Sequence, residues 1–183
     1  VAILTLSILQ NHFNIVSPAM EEIRTAFSFY KETSVAMVIT IVSIGAIPSS
    51  LIAGVLTRRF SEKSIVLVGF FLLTSMGLLS IFAREFIILL ILRFLTGFGV
   101  GLVSPFQTSL IPRYFSGNKA SVLFGLQCCV VSFFAVVYGA LAGWLAGIQW
   151  NYCFLLYILG IPGFAAILLW LPDERNASTN SPK

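Results

Sequence analysis

This chain has little charge. Asp, Glu, Lys and Arg together make up 10% of its 183 residues, whereas 58% are hydrophobic, and the mean hydropathy is +0.98. A soluble domain carries about 25% charged residues, so there is too little here to cover a water-facing surface. That excludes a soluble enzyme or nucleic-acid-binding domain and leaves an integral membrane protein. The formal net charge of +4 does not alter this, because ten of the eleven Lys and Arg residues are scattered through short breaks and the tail. On an apolar chain such residues read as topology signals, so no nucleic-acid partner is expected.

Other absences narrow the chemistry. The three cysteines, Cys128, Cys129 and Cys153, lie inside apolar runs with no CxxC or Cys/His spacing; they read as buried structural thiols, without metal or redox work. His12 is the sole histidine, and no Asp or Glu stands at mid-depth in any apolar run. A rhomboid-like intramembrane protease needs a Gly-x-Ser-Gly turn and a histidine on a later helix, and neither is present. With no zinc, haem or nucleotide-phosphate motif, neither an enzyme nor a cofactor is expected. The chain opens on Val1 directly in an apolar run, with no basic segment to make a signal peptide. Either an initiator Met has been removed or the chain is a segment of a longer one, and the segment is the reading preferred.

Six runs are long enough, at about 20 residues, to cross roughly 30 Å of hydrocarbon as helices: approximately Val1–Met20, Ser34–Thr57, Ser64–Ala83, Phe86–Leu110, Ser121–Ala146 and Tyr152–Leu171. They are too long for barrel strands, and backbone in lipid must satisfy its own hydrogen bonds. The fold class is all-α, a polytopic six-helix bundle over residues 1–171, followed by a polar tail over 172–183, "PDERNASTNSPK" from Pro172 onward. The breaks are an amphipathic "EEIRTAFSFYKETS", the stretch "GVLTRRFSEKS", the dipeptide Arg84–Glu85, "PRYFSGNK" and "GIQWN".

Orientation follows from the basic residues. The second and fourth breaks and the tail hold seven (Arg58, Arg59, Lys63, Arg113, Lys119, Arg175, Lys183), and the other breaks hold three (Arg24, Lys31, Arg84). This asymmetry predicts both termini in the cytoplasm of a cell membrane. It also makes Asn176 a poor glycosylation acceptor.

Polar residues within the spans mark what faces a wet interior. Span one carries Gln10, Asn11, His12 and Asn14, span four carries Arg93, Thr96 and Gln107, and span five carries Gln127. Spans three and six have neither charge nor amide at their centres and are expected to face lipid. A charge at the middle of a span costs roughly 2.5–3.5 kcal/mol on insertion scales. Arg93 lies about seven residues, or roughly 10 Å, inside the outer face. That favours a cavity role, binding an anionic group or tuning a proton site; the alternative is an arginine snorkelling to the interface. His12 either binds solute and titrates near neutral pH or is a hydrogen-bonded packing residue. His12 and Asn11 are about 100° apart on a helix, so the polar set cannot all face one cavity.

Small residues recur at four-residue spacing. Gly97 and Gly101 do so on span four, Gly139, Gly143 and Gly147 on span five, and Gly45, Ser49 and Ala53 on span two. Such stripes let helix backbones approach closely in lipid.

The stretch from Gly54 to Lys63 resembles the loop signature of the major facilitator superfamily, Gly-x-Leu-aliphatic-Asp-Arg/Lys-x-Gly-Arg-Arg/Lys. Gly54, Leu56, Arg59 and Lys63 match, while Arg58 replaces the Asp, Ser61 a Gly and Glu62 an Arg. "LRFLTGFGVG", Leu92 to Gly101, is similar to that family's Arg-x-x-x-Gly-x-x-x-Gly motif of helix four, through Arg93, Gly97 and Gly101. "SPAMEEI" resembles the end of its first helix, and Ser104 to Gln127 its passage from helix four to helix five. In span five, Ala140 stands where the family's antiporter signature has Pro.

The resemblance implies the amino-terminal half of a twelve-helix fold, built as two three-helix repeats. It implies secondary transport of a small solute by alternating access, coupled to an ion such as a proton. The solute or proton pathway would hold Arg93, His12, Asn11, Asn14 and Gln127. The loop of Gly54, Arg58, Arg59, Glu62 and Lys63 would gate, without the acidic residue that family members place against a helix end. The glycine stripes would form either the sliding interface with the other half or static packing within this one. The partner is then a carboxy-terminal six-helix half, or a second parallel copy. A non-transporting membrane module is the remaining alternative.

Overall fold

The computed structural model describes residues 16–114 and 118–161, with side chains for all of these except 107–114, 118–120 and 159. Among the described residues all regular structure is helical. A short helix α1 (Met20–Ala26) precedes α2 (Glu32–Leu56), α3 (Glu62–Leu79), α4 (Phe86–Tyr114) and α5 (Asn118–Ile148); a 3₁₀ turn, Ser80–Phe82, ends α3, and a 3₁₀ stretch, Trp150–Leu159, follows α5. Four of these helices are long and apolar enough to cross a membrane. They are spans two to five, and most of spans one and six lies outside the described residues, as does the tail from residue 172.

The helix ends follow local chemistry. Ser61 caps α3: its hydroxyl oxygen accepts from the Ser64 amide at 3.3 Å, with Glu62 beside it in the first turn, where the helix dipole favours negative charge. α1 occupies the first break. It turns Ile23 and Phe27 into the core and holds Glu21 and Glu22 in its first turn and Arg24 in its last. Arg24 bonds Glu21 at 3.1 Å and also Glu32 at the start of α2. α1 is thereby stapled to α2.

α4 is the centre of the described bundle, packed on one side against α2 and on another against α3. Missing side chains explain how close they come. A Cβ at Gly97 would stand 2.7 Å from the Val42 Cα and carbonyl carbon, and one at Gly101 would stand 2.8 Å from the Ala46 Cα. Gly69 of α3 and Gly99 of α4 face each other in the same way. The Gly45, Ser49 and Ala53 stripe is buried, with Gly45 against the backbone of Phe94 and Phe98. This stripe is therefore spent on packing within the bundle.

Two apolar clusters form, one at each end. Ile23, Val38, Leu89, Ala142 and Phe154 belong to the first, and Ala53, Phe70, Leu102 and Phe106 to the second, near the Arg58–Arg59 loop. Outward, the bundle presents large apolar side chains such as Ile47, Leu51, Phe71, Phe133 and Trp144. A surface of this kind suits lipid rather than water.

Candidate functional site

α4 carries Arg93 into the interior, where it is fully buried (0% exposed). A snorkelling arginine would reach the surface, so burial removes that description. Two aromatic residues from the stretch after α5 receive it. Its Nη1 donates to the Tyr157 hydroxyl at 3.1 Å, and its Cζ lies 4.5 Å from the Phe154 ring centre and 5.9 Å from that of Tyr157. Phe154 and Tyr157 are three residues apart in a 3₁₀ stretch, where i and i+3 eclipse. That is why both meet one guanidinium.

The site is not saturated. Nε and Nη2 of Arg93 are buried with no hydrogen-bond partner among the described residues. An arginine has five N–H donors and no acceptor, and leaving buried donors unmet is costly. These two nitrogens can take an anionic or carbonyl group. Thr96, one turn on, does not compete for it, since its hydroxyl bonds the Leu92 carbonyl at 2.8 Å.

The receiving stretch is anchored at its start. Asn151 Nδ2 donates to the Ile81 carbonyl at 3.0 Å, tying it to the end of α3, and Cys153 Sγ lies 3.1 Å from the Trp150 carbonyl. Cys153 is buried, while Cys128 and Cys129 are exposed, which departs from the expectation that all three thiols are buried. They sit on a face of α5 that the described residues leave open. The start of span six, expected to face lipid, instead turns Phe154 and Tyr157 inward with no exposure.

Of the other predicted pathway residues, Gln127 is buried on α5 (7% exposed); Asn11, His12 and Asn14 lie outside the described residues. In the loop, Gly54, Arg58 and Arg59 are exposed, and Glu62 and Lys63 are half-buried. Among the described residues, Gly139 and Gly143 have Pro18 near, at 3.7 Å from an added Cβ, and Gly147 has nothing within 4 Å. Unlike the α4 stripe, the α5 stripe is thus open among the described residues.

Tyr157 and Phe154 are what sequence reasoning missed. A signal existed: a buried arginine with no carboxylate at its depth must take its partners from hydroxyls and ring faces. Two clefts lie elsewhere. An apolar one of about 170 Å³ is lined by Leu56, Phe60, Ile65 and Leu102, and a polar one of about 270 Å³ surrounds Arg24 and Glu32.

The chain is 27% identical over 143 residues to the synaptic vesicle 2-related protein of Rattus norvegicus, covering 76% of this chain and 26% of that protein. It is 27% identical over 128 residues to the 4-hydroxybenzoate transporter PcaK of Acinetobacter baylyi, covering 69% of this chain and 27% of PcaK. The chain thus spans about a quarter of the length of these relatives. Its fold is similar to that of the proton:xylose symporter XylE, with a TM-score of 0.77 at 17% identity over 94% of this chain and 43% of XylE. The sequence profile of the Major Facilitator Superfamily matches residues 2–183. This membrane-embedded chain belongs to the Major Facilitator Superfamily.

Proposed function

We propose that this chain forms half of a secondary transporter that carries a small organic anion across a cell membrane by alternating access, coupled to protons. Arg93 is the observation that carries the reading. A fully buried guanidinium with two nitrogens unpartnered among the described residues is costly to hold, and a carboxylate is the group that satisfies it best, through paired charge-assisted bonds. Phe154, stacked on the same guanidinium, supplies an apolar wall beside it. An aromatic acid would suit such a corner, and the relative PcaK is a 4-hydroxybenzoate transporter. Gln127, with Asn11, His12 and Asn14 of span one, completes the pathway in this reading.

Residues 1–171 act as one bundle with both termini in the cytoplasm, and 172–183 begin the connection beyond it. The loop from Gly54 to Lys63 gates from the cytoplasmic side. The face of α5 that carries Gly139, Gly143 and Gly147 meets the partner bundle, a carboxy-terminal half or a second parallel copy; its openness supports this. The test is uptake of radiolabelled 4-hydroxybenzoate and of other small carboxylates by the complete polypeptide in proteoliposomes, with and without an imposed proton gradient. Concentrative uptake that needs the gradient is the expected result. Equal signals from these and from empty vesicles would end the proposal.

A further inference from the structure

Gly77 belongs to α3 and touches neither charge nor solute path, yet it borders the ring that holds Arg93. A Cβ at Gly77 would stand 2.6 Å from both Cγ and Cε1 of Tyr157, far inside the carbon contact distance of about 3.5–4.0 Å. The ring thus fills the space where a side chain would be. It has nowhere else to go. Tyr157 and Phe154 are both without exposure, and the guanidinium lies over their rings.

Nor can the backbone of this stretch draw back from α3 freely. Asn151 is bonded to the Ile81 carbonyl at 3.0 Å. At the other end, an added Cβ at Gly160 would lie 2.9 Å from the Thr74 Oγ1, so Gly160 packs against a side chain of α3 there. A methyl at Gly77 must therefore turn the Tyr157 ring. The hydroxyl is the far end of that lever, and its 3.1 Å bond to Arg93 is what moves.

We propose that Gly77 is a positioning residue for Arg93: its bare Cα sets the Tyr157 ring where the hydroxyl holds Nη1, which aims Nε and Nη2 at the solute. The proposal rests on the reading of Arg93 as a solute or proton site.

The test uses the complete polypeptide and two readouts. The first is the side-chain NMR signal of Arg93 in ¹⁵N-arginine-labelled protein, identified by its loss in Arg93→Lys and displaced by the Phe154 ring. Gly77→Ala should shift this signal. Gly69→Ala should not, because its new Cβ meets Leu102, at 2.8 Å, and the Gly99 carbonyl. The second is solute uptake. A bond to a charged group supports about a tenfold fall in kcat/KM for Tyr157→Phe. Gly77→Ala should fall by a similar factor, and the double variant should be less than about twofold worse than either. Falls that multiply, or an unmoved Arg93 signal in folded Gly77→Ala, would overturn the proposal. Should Gly77→Ala fail to accumulate, adding Tyr157→Ala should restore its level, since the ring is what the methyl meets; failure to restore it overturns the proposal as well. If Arg93→Ala leaves uptake intact while Gly77→Ala moves the Arg93 signal, the solute reading falls and the positioning stands.

Discussion

Arg93 and Tyr157, 64 positions apart, are joined by a hydrogen bond of 3.1 Å from the guanidinium to the phenol. The bond links the first third of α4 to the start of span six. It gives a buried cation one fixed nitrogen and leaves two others unmet among the described residues. The pair is therefore a holder for the charge and does not neutralise it.

From this, Arg93→Ala should abolish gradient-driven uptake while membrane insertion and expression persist. Arg93→Lys should keep the charge and still lose about tenfold or more, because an ammonium lacks the planar fork that covers Phe154 and reaches Tyr157 together. Initial uptake rates in proteoliposomes check both. Unchanged kinetics in the alanine variant would take Arg93 off the pathway.

The two glycine stripes should respond differently to the same substitution. Gly97→Ala presses a methyl onto the backbone of Val42, and overpacking of this kind costs about 1–3 kcal/mol. Gly147→Ala meets nothing within 4 Å among the described residues and, in the chain without a partner bundle, should be neutral or gain about 0.5–1 kcal/mol from helix propensity. Thermal midpoints of the purified variants in detergent separate the two, and equal midpoints would contradict the packing described for α2 and α4.

Ser61 offers a test in the loop between α2 and α3. As the N-cap of α3, its replacement by alanine should cost about 1 kcal/mol, while glycine should cost only a few tenths. The family signature has glycine at this position, so Ser61→Gly should transport as the parent does. Urea midpoints and uptake rates decide it; an alanine variant as stable as the glycine variant would show that the cap contributes nothing.

The staple of Arg24 onto Glu21 and Glu32 is solvent-exposed on its acidic side. Arg24→Ala should destabilise by no more than about 1 kcal/mol. The loss should shrink in 1 M salt, where screening acts over about 3 Å. A loss insensitive to salt would mean the arginine acts through packing.

Spans two to five were legible because apolar run length alone decides what crosses a bilayer, and no local chemistry opposed it. The residues around Arg93 were not. Tyr157 sits in "CFLLYIL", where nothing nearby distinguishes an inward phenol from one at a membrane interface; its partner is on another helix. Periodicity had a similar limit at Gly45 and Gly97. Four-residue spacing says that some backbone comes close, but not which one, and the α2 stripe meets α4 rather than a second bundle. The short helix α1 was read as an amphipathic break. Its burial of Ile23 and Phe27 follows from that amphipathicity, while its helical form depends on the core beneath it.

The close approach of α2, α3 and α4 also bears on how this gene can vary. Every amino-acid change reachable from a glycine codon by one base adds a Cβ. At Gly69, Gly97, Gly99 and Gly101 each such step runs into neighbouring main-chain atoms, which trimming the neighbour's side chain does not remove. At Gly125 and Gly147, where an added Cβ meets nothing among the described residues, the same steps are open. Sequences that diverge from this one should keep the first set fixed and scatter at the second, wherever no partner bundle holds the α5 face in place.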